Sequence, residues 1–186
     1  MSLAELIIRN TTKSISLHPI HLETTDIAND CQVILDEAQG AQSLIAKKNF
    51  APGELLSRFY ALDEFSQPSN DSLQIDETCH IGLYPTQLRY ISHSCDPNVV
   101  FDIQAGEVIC IKPIQAGEYI TCFYPSTEWE VLDAFSCLCG SDQCLETIQG
   151  AKHLPIDILN RYELARHIRR LKRHQSLFSK AVQVSI

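Results

Sequence analysis

Arg89-Tyr90-Ile91-Ser92-His93-Ser94-Cys95-Asp96-Pro97-Asn98 runs directly into two strand-like segments, 99–103 and 107–111, joined by Gln104-Ala105-Gly106. A three-residue loop with glycine where a left-handed torsion is needed predicts a β-hairpin. Before it, Asp96-Pro97-Asn98 has the composition of a turn. A Cys–His nucleophile pair is disfavoured here. Residues two apart on an extended chain point to one side, without the angular freedom that a base and its nucleophile need. Working outward, Lys112-Pro113 ends the hairpin, Ala116-Gly117-Glu118 makes a second turn, and residues 119–124 read as another strand. Upstream, apolar runs between Leu44 and Leu56 are broken by Pro52-Gly53, and residues 55–60 are again β-like, giving strand, turn, strand. The middle of the chain is therefore mainly β.

A second concentration of chemistry is Cys137-Leu138-Cys139-Gly140-Ser141-Asp142-Gln143-Cys144. A Cys-x-Cys pair with a third Cys five positions on can wrap thiolates round one tetrahedral Zn2+, with Gly140 letting the loop double back. A fourth protein ligand would make the site structural, and a water in its place would make it catalytic. The alternative is a disulfide or a group of small buried hydrophobes. Adjacent Cys-x-Cys thiols meet disulfide geometry poorly, and the loop is polar for a core strand.

The chain has 186 residues, 45% of them apolar, which suits one domain with a real core. No apolar run approaches the roughly 18 residues that span a bilayer. MSLAELIIRN places Glu5 in a very short apolar segment without a cleavage pattern, so a secreted protein is not expected. Eight Cys in that context point to thiols and metal in a reducing compartment, cytosol or nucleus. The first 40 residues, with a Thr-rich opening and a turn-like stretch at His18-Pro19 and His21, have no clear assignment beyond apolar Val33-Ile34-Leu35.

Charge divides the chain unevenly. Residues 1–160 hold 8 Lys+Arg against 22 Asp+Glu, and residues 161–186 hold 7 against 1. An acidic body repels nucleic acid and attracts Lys-rich segments, and it also serves plain solubility. After Pro155, Ile158, Tyr162, Ala165, Ile168 and Leu171 fall at helical spacing among arginines, predicting an amphipathic basic helix. Its simplest use is packing on the acidic body; a protein or nucleic-acid contact is the alternative. Membrane binding is not expected, because basic residues surround the helix and no Trp marks its apolar stripe.

Residues 89–98 resemble the RFxNHSCxPN signature of SET-domain lysine methyltransferases. Residues 117–124, GEYITCFY, resemble their GEExTxDY strand, and residues 137–144 resemble their post-SET zinc loop. Ser43-Leu44-Ile45-Ala46-Lys47-Lys48-Asn49-Phe50-Ala51-Pro52-Gly53-Glu54 is similar to the family's opening GVFAxxxFxxGE segment. Four motifs in the family's order cover roughly residues 40–150. The FYPSTEW and FSCLCG combination is similar to small stand-alone SET proteins.

The resemblance implies a mainly β fold with a C-terminal helix: a SET-domain β-clip with a pseudoknot and a post-SET zinc loop. Its boundaries would be 1–39 as an N-terminal extension or the domain's first strands, 40–136 as the SET domain, 137–150 as the zinc loop and 151–186 as the basic helix. It implies an S-adenosylmethionine-dependent N-methyltransferase, expected to be monomeric, acting on a lysine of a basic protein or peptide. By resemblance Tyr124 is catalytic and lines the substrate channel with Phe59. Gln42, Ser43, Leu44, Ser92, His93 and Leu138 hold the cofactor, and Cys95 joins Cys137, Cys139 and Cys144 round a structural Zn2+. Cys31, Cys79, Cys110 and Cys122 would be unligated, with Cys110 and Cys122 core residues on strands. Two departures bear on the cofactor side. Ala41-Gln42-Ser43 stands for the family's Gly-x-Gly, and Ser92 stands for the Asn of NHS, so weaker affinity or an altered pose is expected. These departures keep open a non-catalytic SET-like interaction module, and an open substrate face would suit transfer to a free amino compound.

Overall fold

The computed structural model describes residues 27–36 and 40–184, with side chains up to Leu177 in the last helix. The Thr-rich opening and the His18-Pro19 and His21 stretch lie outside the described residues. A single helical turn, α1 (Ile27–Asp30), leads into β1 (Cys31–Asp36), which pairs antiparallel with β2 (Ala41–Ala46). The expected boundary near residue 40 thus runs through a β-hairpin. The next strands are β3 (Leu55–Arg58), β4 (Tyr60–Phe65), β5 (Ser72–Asp76) and β6 (Cys79–Tyr84), and the last three form a sheet in the order β4-β6-β5.

A 3-10 turn at Thr86–Tyr90 delivers the chain to β7 (Ser92–His93). The predicted hairpin is present as β8 (Val99–Asp102) and β9 (Glu107–Cys110), with β3 on the other edge of β9. Its loop is held by Asp102, whose Oδ1 accepts the N–H groups of Gln104 and Ala105 at 2.9 and 3.0 Å. Gly106 takes φ +68°, and a Cβ there would stand 3.1 Å from the Phe59 carbonyl, so glycine is needed for torsion and space alike.

The strand expected over residues 119–124 is shorter. Only β10 (Thr121–Cys122) forms a ladder, parallel to β7. Its neighbours are claimed by other partners: Ile120 N–H bonds the Leu44 carbonyl on β2, and Pro125 turns the chain into a 3-10 turn at Tyr124–Ser126. Asn98 locks the crossing, accepting Thr121 N–H through its side-chain oxygen at 2.8 Å and donating its amide to the Tyr119 carbonyl at 2.7 Å. The polar decapeptide is therefore pinned by the chain that follows the hairpin.

A small ladder of β11 (Phe135–Ser136) and β12 (Thr147–Ile148) brackets the cysteine loop. The predicted continuous tail helix is split into α2 (Ile156–Leu159) and α3 (Arg166–Val184). Tertiary contacts override helical periodicity between them. The Tyr162 ring stacks on Phe123 at 3.6 Å, its hydroxyl donates to the Cys95 carbonyl at 2.8 Å, and Ala165 N–H donates to the Ser126 carbonyl. The start of α3 packs on the body: Ile168 is fully buried, and Arg170 pairs with Asp76, at 2.6 Å, and with Glu77.

The main core gathers Leu44, Leu56, Val108, Cys110, Ile114 and Ile120, all fully buried, with Cys31 and Cys122 beside them. A smaller core of Phe123, Ala151, Leu159 and Ile168 lies under the tail. Among the described residues no helix is long and apolar enough to cross a membrane.

Candidate active site and thiol cluster

The cysteine loop folds back on itself. Cys137 N–H bonds the Glu146 carbonyl and Cys144 N–H bonds the Ser141 carbonyl, at 2.7 and 2.9 Å, while Gly140 takes φ +69°. This brings Cys137, Cys139 and Cys144 to Cys95, and the four Sγ atoms lie within 4.8 Å of one another. A tetrahedral Zn2+ with bonds of about 2.3 Å needs thiolates about 3.8 Å apart. Cys95 and Cys137 are already 4.0 Å apart. Four thiols at such spacing are a donor set that fits zinc closely. Burial works against the Cys139 thiolate, but hydrogen bonds from the Cys95 and Ser141 backbone and from neighbouring thiols bring it down to about 6. Burial pushes Cys95 up to about 11.

His93 connects this cluster to Tyr124. Its Nδ1 accepts Tyr124 N–H at 3.2 Å, which leaves the proton on Nε2, 3.4 Å from Cys95 Sγ. Burial lowers the ring to about 4, so it is neutral in this role. The Tyr124 hydroxyl donates to the Ile91 carbonyl at 3.0 Å. Burial, with Cys122 and Glu128 nearby, raises the phenol well above its ordinary value and keeps it protonated.

Tyr124 lines a cavity of about 250 Å³ whose walls include Leu88, Ile91, Phe101, Leu132 and Phe135. Phe59 does not line it. Its ring is buried behind, edge-on to Phe101 at 5.6 Å, because β3 and β4 turn it into the main core. From β8, Phe101 lines the cavity where Phe59 does not. The cavity also reaches Glu128, whose side chain is 12% exposed. Glu128 and Phe135 were not singled out by the sequence reading; the four-residue interval from Tyr124 to Glu128 was the available signal.

The residues expected to hold the cofactor divide. Leu44 is fully buried in the main core, and its carbonyl accepts Ile120 N–H, so its side chain is not turned to a ligand. Gln42 is exposed, and Leu138 is an apolar side chain left 71% exposed between two cysteines. Ser43 and Ser92 meet directly, with their hydroxyls 3.0 Å apart. The two departures from the family pattern thus satisfy each other. Ser92 and His93 are half-buried, Gln42 is exposed and Leu138 is uncovered, and a hydroxyl, an imidazole, an amide and an apolar side chain are the chemical types that an adenosyl amino acid would use.

A strand pair locking residues 92–93 to 121–122, a tyrosine at its end and a four-cysteine loop attached define a class of protein. The SET domain family model matches residues 21–125, and the chain belongs to the SET-domain family. The match begins upstream of residue 40, in keeping with the pairing of β1 and β2. The chain is 32% identical over 155 residues to Methyltransferase flvH of Aspergillus flavus, covering 82% of this chain and 83% of that protein. Among solved structures it is similar to KRYPTONITE in complex with mCHG DNA and SAH, with TM-score 0.49 and 17% identity over 63% of this chain. The similarity spans 28% of the KRYPTONITE chain.

Proposed function

We infer that this protein is an S-adenosylmethionine-dependent N-methyltransferase acting on a lysine side chain of a protein substrate. The observation that carries the reading is the Tyr124 hydroxyl, which is held by the Ile91 carbonyl at one edge of an apolar cavity and backed by His93. Membership of the SET-domain family and the likeness to a methyltransferase support it.

S-adenosylmethionine, when bound, supplies an electrophilic methyl group on a sulfonium. Gln42, Ser92, His93 and Leu138 are the residues that would hold it, with the four cysteines round Zn2+ bracing His93. Because the Tyr124 proton points to Ile91, the phenolic lone pairs are turned to accept an N–H from the incoming amine. That bond aims the nitrogen lone pair along the cavity. A lysine is neutral in only about one copy in 2,500 at pH 7, and the apolar walls penalise its charged form. Positioning and desolvation are then the chain's main contributions. The acidic body would draw a Lys-rich segment to the mouth.

The test is transfer of labelled methyl groups to a protein extract and, separately, to its small-molecule fraction. Incorporation into protein is expected, and Tyr124→Phe should lower kcat at least 100-fold while bound zinc is retained. Label entering only small amines would replace the protein acceptor with a free amino compound. No transfer by the metal-loaded wild type would leave a non-catalytic interaction module.

A further inference from the structure

Tyr124 is followed by a tight turn in which the N–H groups of Thr127 and Glu128 both bond the Tyr124 carbonyl, at 3.0 and 2.9 Å. Residues four apart on such a turn share a face, and both side chains line the same cavity. The two carboxylate oxygens of Glu128 are treated differently. Oε1 accepts Gln74 N–H at 2.8 Å and the Thr127 hydroxyl at 3.3 Å. Among the described residues Oε2 makes no hydrogen bond, and His80 Nδ1 lies 3.8 Å from it, beyond hydrogen-bond reach. His80 is itself buried, and that nitrogen has no hydrogen-bond partner. Among the described residues no Lys or Arg pairs with Glu128.

A nearly buried carboxylate without a paired cation is costly, and the cost is relieved when a cation arrives. We propose that Glu128 is the anionic anchor of the cavity, receiving through Oε2 the positively charged end of an alkylamine substrate before the amine is presented to Tyr124. The proposal rests on the methyltransferase reading for its substrate class, but not for the binding event itself. Two features of the cavity agree with it. Its walls are chiefly aliphatic and aromatic, as an alkyl stem requires, and exposed Asp71 and Asp133 stand among its lining residues. Arg89, the basic residue of the lining, is drawn off by Asp71 at 3.5 Å and by the Tyr90 hydroxyl at 2.6 Å. Burial pushes the Glu128 carboxyl up to about 7, against the pull of its Gln74 and Thr127 hydrogen bonds, so an incoming ammonium has ionisation to gain.

The experiment is binding of n-butylammonium and of 1-butanol to the full chain with its metal, followed by saturation-transfer NMR. Glu128→Gln is the main variant, because an amide oxygen can still accept from Gln74 and Thr127. The wild type should bind n-butylammonium at least tenfold more tightly than 1-butanol. Glu128→Gln should erase that preference and leave 1-butanol within twofold, and in turnover it should raise KM more than it lowers kcat. The preference within the wild type needs no variant, so a poorly folded mutant does not shield the idea. Equal affinity for the two probes, or an ammonium preference that survives in Glu128→Gln, overturns the anchor. If Glu128-dependent ammonium binding is found while the wild type methylates nothing, the anchor stands and the enzyme reading falls.

Discussion

Ser43 lies on β2 and Ser92 on β7, and each gives the other's hydroxyl a partner at 3.0 Å where Ser43 is 1% exposed. Singly, either serine looks like damage to a cofactor pocket. Together they form a satisfied polar contact that ties the opening hairpin to the decapeptide. Removing one hydroxyl strands the other, at a cost of about 1–3 kcal/mol, whereas removing both costs less than the sum. Urea unfolding of Ser43→Ala, Ser92→Ala and the double variant should therefore show the double variant nearer to wild type than additivity allows. Strictly additive midpoints would mean that the contact carries no stability.

At the scale of elements, the turn carrying Tyr124 and Glu128 is clamped from outside by residues 149–152. Val131 N–H bonds the Gln149 carbonyl, Ala151 N–H the Glu128 carbonyl, and Lys152 N–H the Trp129 carbonyl. The clamp closes because Gly150 adopts φ +103° where a Cβ would lie 2.5 Å from the Trp129 carbonyl oxygen. Gly150→Ala should destabilise the protein by roughly 2–4 kcal/mol and lower its thermal midpoint. An unchanged midpoint would show that the clamp can open without loss. None of this could be read from spacing. The β8–β9 hairpin was legible because its apolar alternation and its glycine loop are local, and the cysteine loop was legible because metal chemistry restricts ligand spacing. The shortened strand at 121–122, the break between α2 and α3, and the retreat of Phe59 behind Phe101 come from long-range pairing, which leaves no local period. The inward turn of the Leu44 side chain has a related cause: a motif fixes a position along the chain but not the side on which its residue faces.

Across the whole molecule, Cys95 is where three distant segments meet. Its sulfur faces His93 and Cys137, its carbonyl accepts the Tyr162 hydroxyl, and Leu145 N–H points to its sulfur at 3.4 Å. Metal removal should therefore loosen the decapeptide, the cysteine loop and the link before α3 together, while the β8–β9 hairpin stays closed. Hydrogen exchange before and after chelation checks this: faster exchange across 92–98, 137–148 and 160–166 is expected. Loosening confined to 137–148 would show that the cluster braces only its own loop. The same junction also sets an order of events during synthesis. The decapeptide and the hairpin after it leave the ribosome well before Cys144, and Tyr162 follows later still. A nascent chain can pair its central strands early, but Cys95 waits for its last neighbours until residue 162 has been made. Until then its thiol lacks the neighbours that cover it in the folded chain, and it is more open to oxidants than Cys110, whose strand partners are already made.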